Sequence, residues 1–386
     1  MPVIPRIEKR RVIYLDNAAT TYPKPPSVCR AVREAMTRYG GNPGRSGHWL
    51  ALRTSEEIFR VREEVAALLH REEAENTVFT LNATYALNMA IKSRVEHGSH
   101  ILLSDIEHNA VRRPIERLAA TGEITRTVVP TGGDFLSSLL DAVKENTRLL
   151  VCSLACNISG DEVPLSLLSE FRQRTGIPVI VDAAQAAGHM DLDLSRYPVD
   201  VLCAPAHKGL FGIMGAGFAF FTDPTVPGTW AEGGSGSESA RAEMPQALPE
   251  RLEAGTLPTP AILALGAGIR YVRALGTASI AAHIHTLTRE LCDNLAGMPH
   301  YSMPAPPGHG VLSLLHNKYT PARLAASLDE KFGIATRAGL HCAPLPHHKY
   351  GTLSEGGTLR ISFSVMNTRE DVRRLTDALY RIDRGE

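Results

Sequence analysis

Apolar runs of four to seven residues recur along the first half of the chain and alternate with stretches of helical period. Residues 12–15 (VIYL) predict a short strand that ends in the polar turn Asp16-Asn17. Ser27 to Tyr39 fits a helix begun after Pro25-Pro26, and 51–70 again repeats apolar positions at helical spacing. Strands are then expected at 77–81, 100–104, 125–129, 148–154, 177–182, 199–203 and 216–221, with helical patterns at 84–95, 110–120, 134–144 and 165–175 between most of them. Strands this uniformly apolar, separated by helices, imply a mainly parallel sheet buried on both faces. The last two runs lack a long helix between them, which predicts an irregularity in the sheet.

Residues 223–260 break the rhythm with Gly, Pro, Ser and Glu, and a loop this long in a packed domain is usually functional or mobile. Two long helices are expected over 261–297. Beyond them short strands (311–315, 359–363) alternate with helices (321–331, 369–383). The pattern divides into a large α/β domain over 15–260 and a smaller α+β domain over 261–386, to which the N-terminal segment 1–14 is assigned.

Lys+Arg and Asp+Glu are both 41, so the formal net charge is zero, which argues against non-specific nucleic-acid binding. No apolar run approaches the length of a membrane span. The N-terminus lacks the apolar core and small-residue cleavage site of a secretory signal. Six scattered cysteines without a CxxC read as reduced thiols, and the expected location is cytoplasmic.

In sheets of this type, ligands bind beyond the carboxyl ends of the strands. Asn82-Ala83-Thr84 stands where a strand gives way to a helix, a place where free N–H groups and a hydroxyl hold an anion, although taken alone it reads equally as an N-cap. Asp182 closes a very apolar strand, where a carboxylate needs a cation. Lys208 follows His207 and lies among apolar residues, where desolvation makes an amine nucleophilic towards carbonyls. An anion cradle, a carboxylate and a buried amine together suggest pyridoxal 5′-phosphate: phosphate on the helix N-terminus, acid on the pyridine nitrogen, amine joined to the aldehyde as a Schiff base. Neither GxGxxG after the first strand nor GxxxxGK[ST] is present, so dinucleotide and P-loop readings fail.

YLDNAATTYPKP (14–25), GNPGRSGH (41–48), TLNATYALN (80–88), EHNA (107–110), CNISG (156–160), VDAAQAAGH (181–189), AHKGLFG (206–212), EAGT (253–256), RAGLHCAP (337–344) and TLRIS (358–362) occur in this order. The set resembles the cysteine desulfurases and selenocysteine lyases of the class V aminotransferase group, and RAGLHCAP resembles their second, shorter-loop group. The resemblance implies a pyridoxal-phosphate transferase of fold type I, with a mainly parallel seven-stranded sheet flanked by helices and a smaller C-terminal α+β domain. It implies a homodimer that takes L-cysteine to L-alanine, forms a persulfide on its own cysteine and hands the sulfur to an acceptor protein or thiol.

The resemblance also implies roles. Lys208 would carry the cofactor and act as catalytic base, Asp182 would pair with the ring nitrogen, and Gln185 would reach the phenolic oxygen. His108 would stack on the ring. Ala83, Thr84 and His207 would bind the phosphate, completed by Thr256 from the other subunit. Arg360 would fork the substrate carboxylate, shared with Asn157, which alternatively touches the ring oxygen. Cys342 would be the sulfur-accepting nucleophile, its thiolate favoured by His341, Arg337 and Arg360. Cys29, Cys152, Cys203 and Cys292 are expected to be inert buried thiols. The chain departs from the family pattern at Pro205, where a Ser or Thr is usual, at Leu154, Cys156 and Pro258, and these bear on the phosphate network and substrate preference. His283/His285 lie at a spacing that separates them on a helix, and His347-His348 are placed in a surface loop, so no metal is expected. The alternatives are selenocysteine lyase or cysteine sulfinate desulfinase activity, another lyase or aminotransferase reaction on the same cofactor, or a non-catalytic sulfur-carrier scaffold.

Overall fold

The computed structural model describes residues 12–44, 47–225 and 228–385. Arg45 and Ser46 of the GNPGRSGH motif, and most of the N-terminal segment assigned to the small domain, lie outside the described residues.

The strands in chain order are β1 (Ile13–Tyr14), β2 (Thr77–Thr80), β3 (Ser99–Ser104), β4 (Ile124–Val129), β5 (Thr147–Ser153), β6 (Val179–Asp182), β7 (Val201–Pro205), β8 (Gly217–Phe221), β9 (Tyr301–Ser302), β10 (Val311–His316), β11 (Ile334–Ala335), β12 (Arg337–Gly339) and β13 (Thr358–Ser362). The helices are α1 (Pro26–Arg38), α2 (Trp49–Leu68), α3 (Ala83–Lys92), α4 (Asn109–Ala120), α5 (Phe135–Asp141), α6 (Leu165–Thr175), α7 (Thr259–Leu275), α8 (Thr277–Leu295), α9 (Pro321–Phe332), α10 (Pro344–Lys349) and α11 (Arg369–Asp383).

Seven strands form one sheet in the order β2-β8-β7-β6-β5-β3-β4. Every neighbouring pair is parallel except those of β8, which runs against both β7 and β2. The irregularity expected from the missing helix is this antiparallel strand. Residues 206–216 join β7 to β8 without a helix, shorter than the crossover a parallel neighbour needs, so the chain turns back on itself.

Strand periodicity divides the sheet's side chains between two cores. Phe79, Leu102, Leu150, Val181, Leu202 and Phe218 face α2, α6 and α7 on one side. Their neighbours Val78, Ile101, Val151, Ile180, Val201 and Phe221 face α3 and α4 on the other. With both faces covered, the strands read as unbroken apolar runs. A separate core gathers β1, β10 and β13 with α8, α9 and α11. Helix α7 contributes Ile262, Leu265 and Ile269 to the first core and Val272 to the last. No helix among the described residues is long and apolar enough to cross a membrane.

The long stretch before α7 is anchored by one buried ion pair. Arg62 of α2 donates two hydrogen bonds to Glu253, 2.8 and 2.6 Å, with both side chains 6% exposed. Glu253 also accepts the N–H of Phe79 at 2.6 Å, and Arg62 donates to the carbonyl of Thr77. Removing one partner strands the other charge in the interior. Glu253→Ala is expected to lower the stability by about 3–5 kcal/mol, read as an earlier midpoint in urea unfolding.

Asp383 at the end of α11 meets His300 Nδ1 at 2.7 Å and His316 Nε2 at 3.2 Å, a grouping with the atoms of a metal site. His316 Nδ1 accepts the N–H of Lys318 at 3.0 Å, so its proton sits on Nε2 and is donated to Asp383. The group therefore works as a hydrogen-bonded tie between α11 and β10. His347 and His348 lie on α10 and not in a surface loop. His347 is buried, with Nδ1 2.6 Å from the hydroxyl of Thr352, because α10 packs its Pro346–His347 side inward.

Candidate active site

The strand order reverses between β5 and β3: β6 and β7 extend away on one side, β4 on the other. A cleft must open beyond the carboxyl ends of the strands at such a point. A cavity of about 220 Å³ lies there, and Ala83, Thr84, His108, Asn157, Asp182, Gln185, His207, Lys208 and Arg360 all line it.

Ala83 and Thr84 open α3, whose first N–H groups have no partner within the helix. The Asn82 side chain caps it by accepting the N–H of Tyr85 at 3.0 Å. Strand β8 starts hard against this turn. A Cβ on Gly217 would lie 2.6 Å from the carbonyl carbon of Asn82, so only glycine permits the approach. His207 adds a ring whose Nδ1 is buried without a hydrogen-bond partner among the described residues. Burial, then the charges of Lys208 and Lys24, lower its pKa to about 4.

Asp182 is the last residue of β6 and is buried, and its Oδ1 accepts the N–H of Ala184 at 2.8 Å. Burial raises its pKa, against the opposing pull of Lys208. The Lys208 amine is lowered to about 8, first by burial, with Arg360 and Arg337 adding to the effect and Asp182 opposing it. The backbone carrying it is clamped by the N-terminal segment. The carbonyl of His207 accepts the N–H of Thr21 (3.1 Å), the hydroxyls of Thr20 (3.1 Å) and Thr21 (3.2 Å) and the amine of Lys24 (2.8 Å). Gly209 follows, where a Cβ would stand 2.2 Å from the carbonyl oxygen of Ala187.

His108 caps α4, its Nδ1 accepting the N–H of Ala110 at 3.0 Å, which places the proton on Nε2. Burial and the nearby cations Lys208, Arg337 and Arg360 lower its pKa to about 3, so the ring is neutral where it lines the cavity. Beneath it Glu107 is fully buried, held by the hydroxyls of Ser104 (2.5 Å) and Ser153 (2.7 Å) and the N–H of Ser153 (2.8 Å). Burial raises its pKa to about 7 despite these donors. Gln185 donates to the carbonyl of Ala18 at 2.9 Å.

Arg360, on β13, is 1% exposed. Its Nη2 meets Asp16 Oδ1 at 2.6 Å and its Nη1 donates to the carbonyl of Asn157 at 3.0 Å, while Nε is buried without a partner among the described residues. The guanidinium is thus held in place by the chain itself. Asn157 donates to the carbonyl of His341 at 2.8 Å and keeps Oδ1 unpartnered.

Two of the residues given roles lie outside the lining of this subunit's cavity. Thr256 is exposed and not among the residues lining the cavity. Cys342 is also exposed and outside the lining, whereas its neighbour His341 lies within it. His341 cannot lend that thiol positive charge: burial and then Arg360 lower its pKa to about 2, so it is neutral. Among the other thiols Cys152 and Cys203 are buried as expected, but Cys29 on α1 is exposed, and Cys292 on α8 is only half-buried, packed at the edge of the small-domain core.

Arg337 lines the cavity opposite Arg360 in the antiparallel register of β12 and β13. Sequence reading placed it only beside the thiol, since nothing in the motif RAGLHCAP reveals that pairing. Asp16, Ser153 and the Thr20–Lys24 clamp were likewise not singled out.

The donor set suits pyridoxal phosphate. Asn157, His207 and Arg360, each with a buried polar atom unpartnered among the described residues, line the cavity together. A helix N-terminus suited to an anion, a buried carboxylate and an amine whose pKa burial lowers to about 8 line the same cavity.

Comparison with known proteins agrees with this geometry. Residues 13–375 match the aminotransferase class-V family. The chain is 33% identical over 385 residues to a probable cysteine desulfurase of Methanothermobacter thermautotrophicus, covering 96% of this chain and 94% of the relative. It is 31% identical over 397 residues to a cysteine desulfurase of Escherichia coli, covering 99% and 96%. The solved cysteine desulfurase of Thermococcus onnurineus superposes with a TM-score of 0.86 at 27% identity, covering 97% of this chain and 95% of that one. A cysteine desulfurase structure from Escherichia coli superposes at 0.84 and 26%, covering 96% and 94%. With nearly its whole length matched, carrying the fold type I architecture, the chain belongs to the aminotransferase class-V family and, within it, to the cysteine desulfurases.

Proposed function

We propose that this chain is a pyridoxal 5′-phosphate-dependent cysteine desulfurase that converts L-cysteine to L-alanine and transfers the sulfur first to Cys342 and then to an acceptor protein or thiol. The convergence of Lys208, Asp182 and His108 on one cavity carries this reading. When bound, the cofactor supplies an electron sink for charge developing at the substrate α-carbon.

The chain's own groups do the rest. Lys208 would hold the aldehyde through its amine, and the same amine would serve as the base that takes the substrate α-proton and returns one. Asp182 would hold the ring nitrogen, Gln185 the phenolic oxygen, and the neutral His108 ring would cover one face. Ala83, Thr84 and His207 take the phosphate. Arg360, with Asn157, orients the substrate carboxylate. The Cys342 thiolate attacks the substrate sulfur. The new S–S bond forms as the S–C bond breaks, its electron pair stays with the β-carbon, and a proton added there completes alanine.

The reading includes a homodimer in which Thr256 reaches the phosphate site of the second subunit. Two observations support it: Thr256 is exposed outside its own cavity, and Trp49, Leu52 and Phe59 are 72%, 52% and 47% exposed along one side of α2. It also takes the chain as two domains, 15–260 and 261–386 with the N-terminal segment.

Product analysis tests the proposal. Purified protein given L-cysteine is expected to form alanine and persulfide sulfur in equal amounts. Pyruvate in place of alanine marks β-elimination instead, and turnover of selenocysteine or cysteine sulfinate without turnover of cysteine marks the corresponding lyase or desulfinase.

A pH experiment follows from the amine. Below its pKa the Lys208 amine is protonated and cannot attack an aldehyde. Above it, the amine can. Uptake of pyridoxal phosphate by cofactor-free protein is therefore expected to quicken as pH rises through about 8, the value to which Lys208 is lowered. A rise centred near 10.5, the ordinary lysine value, would show that the amine is not desolvated.

A further inference from the structure

Cys342 sits in a backbone that its own residues do not favour. His341 and Cys342 both have positive φ, 49° and 57°, in the left-handed region where a β-carbon crowds the main chain. Such a pair persists only where the surroundings hold it. On the upstream side two hydrogen bonds do so: Asn157 donates to the carbonyl of His341 at 2.8 Å, and the N–H of Asn109 donates to the carbonyl of Cys342 at 2.8 Å. On the downstream side the chain enters α10 directly, a six-residue helix with no side-chain cap at its start.

The far end of α10 is fastened to the rim of the sheet. Lys349 Nζ lies 3.0 Å from Asp161 Oδ1 and donates to the hydroxyl of Thr131 at 2.8 Å. The hydroxyls of Tyr350 and Ser159 both donate to Asp161 Oδ2. Thr131 is itself bonded to Asp105 at 2.7 Å. The side chains of Lys349 and Asp161 are 20% and 18% exposed, so water screens the pair only in part. Burial works against the charge of Asp161, and the donors from Ser159, Tyr350 and Lys349 together outweigh it, holding the carboxyl below its usual range. Asp161 lies four residues after Asn157, so one loop grips the Cys342 turn from both sides.

We infer that Asp161, Lys349 and Tyr350 form a positioning clip that fixes the reach of the Cys342 thiol into the cavity. The inference rests on the reading of Cys342 as sulfur acceptor. None of the three lines the cavity, so their effect passes through the turn. A reacting atom displaced by about 1 Å loses on the order of 10²-fold in rate.

Asp161→Asn removes the charge and keeps the shape; Tyr350→Phe removes a single hydroxyl and serves if the first variant folds poorly. In each, kcat for alanine formation is expected to fall about 10-fold or more, with KM for L-cysteine and the colour of the bound cofactor unchanged. The change in cofactor absorbance on adding cysteine, which precedes sulfur transfer, is expected to keep its native rate. Lys349→Met should behave likewise and Lys349→Arg should retain most of the activity. Native kcat in both Asp161→Asn and Tyr350→Phe overturns the inference, and so does a slowing of the absorbance step equal to that of alanine formation. Failure of the underlying reading shows separately, as native cysteine turnover by Cys342→Ala.

Discussion

Lys208→Ala is expected to yield a folded but colourless protein with no measurable turnover of L-cysteine. The reason is that one amine has two tasks. It forms the covalent link to the aldehyde, and it moves the α-proton. A positioned acid–base group alone contributes ~10²–10⁴-fold, and the variant loses the anchor as well. Folding should survive, because the backbone at this position is held by the four donors on the His207 carbonyl and not by the amine. Absorbance of the purified variant mixed with pyridoxal phosphate, together with alanine formation, checks both halves. A yellow protein with native turnover would place the cofactor on another residue.

Cys342→Ala is expected to separate what Lys208→Ala removes together. The variant should bind pyridoxal phosphate, keep its colour and show the absorbance change when cysteine arrives, since Cys342 is not among the residues lining the cavity. Formation of alanine should fall on the order of 10³-fold or more, because a tethered nucleophile reaches an effective molarity of ~10⁵ M or above while a thiol in solution is millimolar. Added thiol at high concentration should restore a small part of the rate.

Much of this arrangement is legible in the chain. The large sheet declares itself because each strand is buried on both faces and therefore apolar throughout, and each expected run from 77–81 to 216–221 overlaps an observed strand. The capped start of α3 is equally plain, since Asn82 is the capping residue itself, whereas the cap that His108 supplies to α4 is not read from the sequence. What escapes is short or remote. Strands β9, β11 and β12 have two or three residues, too few for a period; β9 and β12 form on the edges of the longer β10 and β13, and β11 pairs with the equally short β1. Helix α10 starts at Pro344 and hides a buried histidine in a stretch that composition marks as loop.

The site divides in the same way. Residues that end a strand, such as Asp182 and those just past β7, can be read from position alone. Residues delivered by the topology cannot. Asp16 meets Arg360 across 344 positions, and Lys24 reaches the His207 carbonyl across 183. No local pattern encodes either distance. The exposure of Cys342 is a tertiary fact too, set by how α10 is fastened.

The most direct test follows the sulfur. One equivalent of L-cysteine is added to the holoenzyme without any acceptor, the protein is alkylated and digested, and its peptides are weighed. The expected result is a single extra sulfur on the peptide carrying Cys342, with one alanine released per site. An unmodified Cys342 peptide alongside full alanine release, or the extra sulfur on a different cysteine, would contradict the account.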